Sequence, residues 1–243
     1  MCLSRQLAVL SAGLRTVAGV RTTPSAVLDF WFAGAWGTPA MASIKEPPLS
    51  VQMPRWFGMC DQAEKDAMDA SCREFVPLIR ACGRGELDQQ EEWSTPDGLY
   101  AQMLLCDQIS RNAFRGSSEA FGYDERGMKM VRKLVDTGCH LDQEAAYYFF
   151  LCTPGQHSEK PSDHALNLEI VEYLRERYAG DTSTVDGIMN AVIDHMQVIE
   201  RFGRYPHRNE VLGRETTEAE AEWLADYDNL PGWAKSQMKK PTS

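Results

Sequence analysis

The chain has 243 residues, enough for one large domain whose core needs no staples, and carries 35 Asp and Glu against 25 Lys and Arg, a formal net charge of -10. That balance speaks against a nucleic-acid partner, because phosphate-backbone binders concentrate Lys and Arg to displace counterions. The seven cysteines are odd in number and never spaced Cys-x-x-Cys, so neither a disulfide framework nor a zinc site is signalled, and no apolar run reaches the roughly 18 residues of a transmembrane segment.

Residues 1–23 hold Arg5, Arg15 and Arg21 with several Ser and Thr but no Asp or Glu, which is the chemistry of an organelle transit peptide. Leu3, Leu7, Leu10, Leu14 and Val17 fall on one face of a helix, so the segment suits import or docking, with the mitochondrion ahead of the plastid. If it is instead an ordinary amphipathic first helix, the expected place is the cytoplasm. Thr23 and Pro24 then cap a short helix with the apolar cluster Val27, Leu28, Phe30, Trp31 and Phe32. Residues 33–54, rich in Gly and Pro, read as an irregular loop, either a protein-partner contact or a solvated connection.

A single helical domain is expected over 24–228, with 229–243 as a tail. Helical spacing runs from Asp61 to about Cys82 with a bend or break at Pro77, and Thr95-Pro96 caps a second strong helix reaching Ser110. Further helices are predicted near 118–137, 141–152, 161–178, 183–203 and 216–227, and no alternating run suggests a sheet. The fold class is therefore all-α, with stacked antiparallel hairpins resembling tetratricopeptide repeats in shape, although no 34-residue consensus recurs.

Three segments carry unusual polar residues. Asp107 and Arg111 lie one helical turn apart beside Asn112 and Arg115, and read either as a partly buried ion pair at a helix end or as an anion-binding group. His157 and Glu159 follow the breaker Pro154-Gly155 and could act as base and acid or cap the next helix. His195 sits at the margin of an apolar stripe, as a core histidine or a proton-transfer group. The densest cluster, Arg201 to Glu210, places Arg204, His207, Arg208 and Asn209 around one turn, with Arg214 just beyond. Guanidinium groups there could bind a carboxylate or phosphate or pair with the protein's own acids.

These segments, with Val27–Phe32, Arg55-Trp56-Phe57, Asp107–Gly116, His157-Ser158-Glu159 and His195 through Arg214, resemble the family known as domain of unknown function 924, over about residues 26–227. The resemblance implies a tetratricopeptide-like helical fold and brings no established activity. Ser110 stands where that family usually has proline.

Two functions follow as expectations. In the first, Arg111, Asn112, Arg115, Arg204, Arg208 and Asn209 hold a small anion while His157, Glu159, His195 and His207 move protons. In the second, the chain is an adaptor in an organellar assembly, docking through its N-terminal helix and the 33–54 loop. No metal or cofactor is signalled in either.

Overall fold

In the computed structural model, which describes residues 23–34, 56, 61–141, 145–177, 182–235 and 238, Thr23 accepts a hydrogen bond from the Ala26 amide and starts α1 (Pro24–Leu28). The transit or docking helix expected before it lies outside the described residues, as does the loop expected over 33–54 except for Ala33 and Gly34, which are helical instead. A π-helical turn, Asp29–Gly34, continues α1 and drives Phe30, Trp31 and Phe32 into the core. There Phe32 stacks on Tyr147 at 4.6 Å, and Trp56 meets Phe150 edge-on at 4.8 Å while its indole N–H donates to the Trp31 carbonyl. Side chains of this size contribute about 1.5–3 kcal/mol each when fully buried, so the aromatic stretches at both ends of the nest anchor it.

Asp61 and Glu64 form a reciprocal cap on α2 (Gln62–Arg73). The bend or break expected at Pro77 is a break: the helix stops after Arg73 and restarts as α3 (Val76–Gly83), with the proline in the first turn, where no amide donor is missed. Thr95 caps α4 (Pro96–Leu104), which passes through a second π-helical turn, Leu105–Ile109, into α5 (Ser110–Ala113). From Gly98 to Ser110 every residue is buried, so this rod runs through the core with no solvent-facing side.

Around it lie α6 (Asp124–Asp136), α7 (Ala145–His157), α8 (Pro161–Arg177) and α9 (Thr182–Phe202), each packed on the next. α4 packs against α1 and α6, and α5 against α2. Gly203, at φ 69°, ends α9 in the left-handed region that an L side chain adopts only with strain. Among the described residues, a 3₁₀ turn (Pro206–Arg208), α10 (Glu218–Ala225), a second 3₁₀ turn (Tyr227–Asn229) and α11 (Gly232–Lys235) follow. The fold is all-α: no strand occurs among the described residues, and no helix there is long and apolar enough to cross a membrane.

The start of α4 is packed backbone to backbone: a Cβ on Gly98 would come within 2.5 Å of main-chain atoms of Trp93. Gly98→Ala is therefore expected to destabilise the fold by about 1–3 kcal/mol, since backbone cannot rotate aside. Gly187→Ala, whose added Cβ meets nothing within 4 Å, is expected to be neutral or stabilising by up to about 1 kcal/mol. Urea denaturation of the two variants beside the parent measures both, and equal midpoints would contradict the packing.

Candidate functional site

The second π-helical turn presents an acid to the protein interior. Asp107 has no exposed surface, and an ionised carboxylate in such a place must be fully hydrogen-bonded. Its Oδ1 accepts from His157 Nδ1 at 2.6 Å, and its Oδ2 accepts from Gln108 Nε2 at 2.6 Å and from the Thr153 hydroxyl at 2.8 Å. Burial works to raise the pKa of this carboxyl, but His157, Arg111 and Gln108 outweigh it and hold the group down at about 2. The ion pair of Asp107 with Arg111 expected from helical spacing is not formed. Arg111 still acts on Asp107 through space, but its nitrogens reach the Ala120 carbonyl at 2.6 Å and Asp124 at 2.8 Å.

With Nδ1 committed to Asp107, His157 turns Nε2 away as the nitrogen able to exchange a proton. Its ring lies 6.3 Å from that of His195. His195 donates from Nδ1 to the Ala191 carbonyl at 2.7 Å, so its Nε2 carries a lone pair. Burial pushes its pKa down to about 3, and the nearby charges of His157 and Arg208 act in the same sense. His195 is a neutral imidazole at any ordinary pH.

Arg208 is nearly inaccessible, at 3% exposure, with its guanidinium over the rings of Tyr205 at 4.5 Å and Phe121 at 4.7 Å. Arg111 covers Phe121 as well, at 4.7 Å. Both cations share one carboxylate, Asp124, which contacts Arg208 at only 3.3 Å. The Nε atoms of both arginines are buried without a hydrogen-bond partner, and Arg111 Nη2 lies close to Asp124 Oδ1 but off the line of a hydrogen bond. Burial, and then repulsion from Arg111, pull Arg208 down to about 10 against the attraction of Asp124.

The remaining candidates separate into two groups. Glu159 does not face His157: it accepts from the Tyr205 amide at 2.9 Å and from both terminal nitrogens of Arg214 at 2.7 and 3.1 Å, pinning the loop after α9 to the end of α7. His207 lies in the aromatic group around Tyr205 and Trp233. Arg115 is engaged away from the cluster, by Asp69 at 2.7 and 3.0 Å and by Asn112 at 2.5 Å, and joins α5 to α2. Arg204 is held by Glu220 at 2.7 and 2.8 Å, and Asn209 is saturated by Glu220, Thr216 and Arg214.

Asp124, Phe121, Tyr205 and Trp233 were not singled out by sequence. Asp124 lies in the first turn of α6, and only the fold brings it between two arginines. A cavity of about 170 Å³ lies elsewhere, lined by Arg201, Glu222, Trp223, Asp226, Asn229 and Leu230. Its charged residues are exposed, so nothing there calls for a ligand as a buried, poorly matched guanidinium does.

Fold and cluster together define an all-α protein in which polar side chains from α5, α7, α9 and the loop after α9 converge. The chain belongs to the family described as bacterial protein of unknown function (DUF924), whose model matches residues 27–228. A solved structure of a protein of unknown function from Agrobacterium tumefaciens is similar, with 24% identity, a TM-score of 0.62 and coverage of 84% of this chain and 97% of that one. At that identity the likeness speaks for the fold. No curated protein matches.

The depressed pKa of His195 has a consequence for stability. The unfolded imidazole takes up a proton near pH 6.5 and the folded one only near 3, so its share of stability is complete above about pH 6.5 and is lost as pH falls toward 3. Asp107, held low, loses its contribution only between about pH 4 and 2. Between pH 6.5 and 4.5 the unfolding free energy of the parent should therefore fall more steeply than that of His195→Gln, by roughly 1 kcal/mol per pH unit. Parallel curves from denaturant titrations across that range would show that His195 is not held neutral by burial.

Proposed function

We propose that the chain binds a small anionic molecule, a carboxylate or phosphate, against Arg111 and Arg208, with His157 exchanging a proton with it. The observation that carries this reading is the arginine pair: two largely buried guanidinium groups lean on one carboxylate and leave donors unspent. A protein gains nothing in stability from such an arrangement, because desolvating a cation costs several kcal/mol unless its charge and hydrogen bonds are answered. An anion between the two would answer both, and bidentate recognition of carboxylate or phosphate is the chemistry at which arginine excels.

Asp107 supports the second half. It fixes the His157 tautomer and orientation, so the pair suits general acid–base work. His195, neutral with an acceptor nitrogen, would receive a hydrogen bond from a ligand hydroxyl or from His157. The reaction class consistent with these parts is proton transfer or hydrolysis at an anionic substrate.

Inorganic phosphate and a panel of small dicarboxylates should raise the melting temperature of the parent. A ligand at 100 times its Kd adds about 2.7 kcal/mol to native stability. Arg208→Gln should abolish that gain while costing the unliganded protein no more than about 1 kcal/mol, since replacing a desolvated cation relieves its burial. The opposite pattern, no ligand response in the parent and a loss above 3 kcal/mol in the variant, would make Arg208 a structural ion and end the proposal.

A further inference from the structure

The loop that carries Arg208 also builds an aromatic slot. His195 lies plane to plane with the indole of Trp233, ring centres 4.0 Å apart and 19° from parallel. Tyr205 and His207 approach the same indole edge-on, each at 5.5 Å and at 77° and 68°. One ring thus stacks on the indole and two others meet it edge-on.

His195, Tyr205 and His207 all lie inside the 27–228 span shared with the family, and Trp233 lies beyond it. Trp233 enters on α11, a helix of four residues, between the buried Leu230 and Ala234. The slot also borders the arginine pair, because the Tyr205 ring that walls it is covered by the Arg208 guanidinium at 4.5 Å.

We propose that the slot is a binding site for the flat aromatic part of an anionic ligand, an aryl phosphate or aryl carboxylate, and that Trp233 occupies it as an intramolecular stand-in. A planar ring stacked on His195 would set its anionic group beside Tyr205, on whose ring the Arg208 guanidinium rests. This rests on the anion-binding reading for the ligand's charge, while the slot itself stands on ring geometry alone. Trp233 then competes with the ligand, and its removal opens the site.

Titration calorimetry with phenyl phosphate and inorganic phosphate, on the parent and on Trp233→Ala with its helix content checked by circular dichroism, tests this. Phenyl phosphate is expected to bind the variant about tenfold more tightly than the parent, while inorganic phosphate binds both alike. Free indole, which carries no charge, is expected to raise the melting temperature of Trp233→Ala and of Trp233→Ala/Arg208→Gln but not that of the parent. If neither phenyl phosphate nor indole gains from the removal of Trp233, the slot is overturned whatever phosphate does. If phosphate binds no form while indole still binds the variant, it is the anion-binding reading, and with it the ligand's charge, that is overturned. Should Trp233→Ala not fold, the parent with fluorinated tryptophan serves: phenyl phosphate should shift the ¹⁹F resonance that is missing from Trp233→Phe. An unmoved resonance at saturation overturns the slot.

Discussion

A carboxylate with no exposed surface sits midway along the most deeply buried helix of this protein, and much of the architecture is an answer to it. Removing one partner from a buried charge pair costs about 3–5 kcal/mol, so the contacts of Asp107 are conditions of folding as much as features of a site. They come from Gln108 on its own turn and from Thr153 and His157 on α7, which means that a polar contact fixes the register between α4 and α7 inside an apolar core. The widened π-helical turn makes the contact possible by changing where Asp107 points relative to a regular helix. The same turn commits one nitrogen of His157 and thereby decides which nitrogen is left for chemistry.

The arginines of the polar segments that the sequence singled out fall into two kinds, and saturation distinguishes them. Arg115, Arg204 and Arg214 each make paired hydrogen bonds to a carboxylate and have further acceptors in reach. Arg111 and Arg208 divide Asp124 between them and retain buried donors with no acceptor. Since buried polar groups are nearly always satisfied, the second kind is the exception that asks for an explanation beyond stability.

Helical periodicity and cap chemistry made most of the fold legible in advance. Thr23-Pro24 and Thr95-Pro96 start helices as their chemistry requires. Pro77 was correctly suspect, though its effect is a clean restart with the proline in the first turn, because a helix admits proline at its beginning and not in its interior. Pairings were not legible. Spacing of four suggested Asp107 with Arg111, and that inference assumes regular α-helix, which the π-helical turn replaces. Adjacency suggested His157 with Glu159, yet consecutive residues leaving a helix end point to different neighbours, and here they meet α4 and the loop after α9 respectively. Trp233 gave no signal at all, because a tryptophan in a tail has no periodicity to declare what it packs on.

The two kinds of arginine are also connected in the chain. Arg204 ties the start of the loop after α9 to α10 through Glu220, and Arg214 ties its far end to α7 through Glu159, with Asn209 bridging between them. Between those fixed points lie Tyr205, His207 and Arg208, none of which is held chiefly by its own ion pair. A loop so braced pays its ordering entropy on folding, so a group such as Arg208 can be kept in a poorly matched environment that a free loop would abandon. Arg204 and Arg214, which the sequence offered beside Arg208 and which are engaged in ion pairs, are thus the frame that holds the unsatisfied one in place.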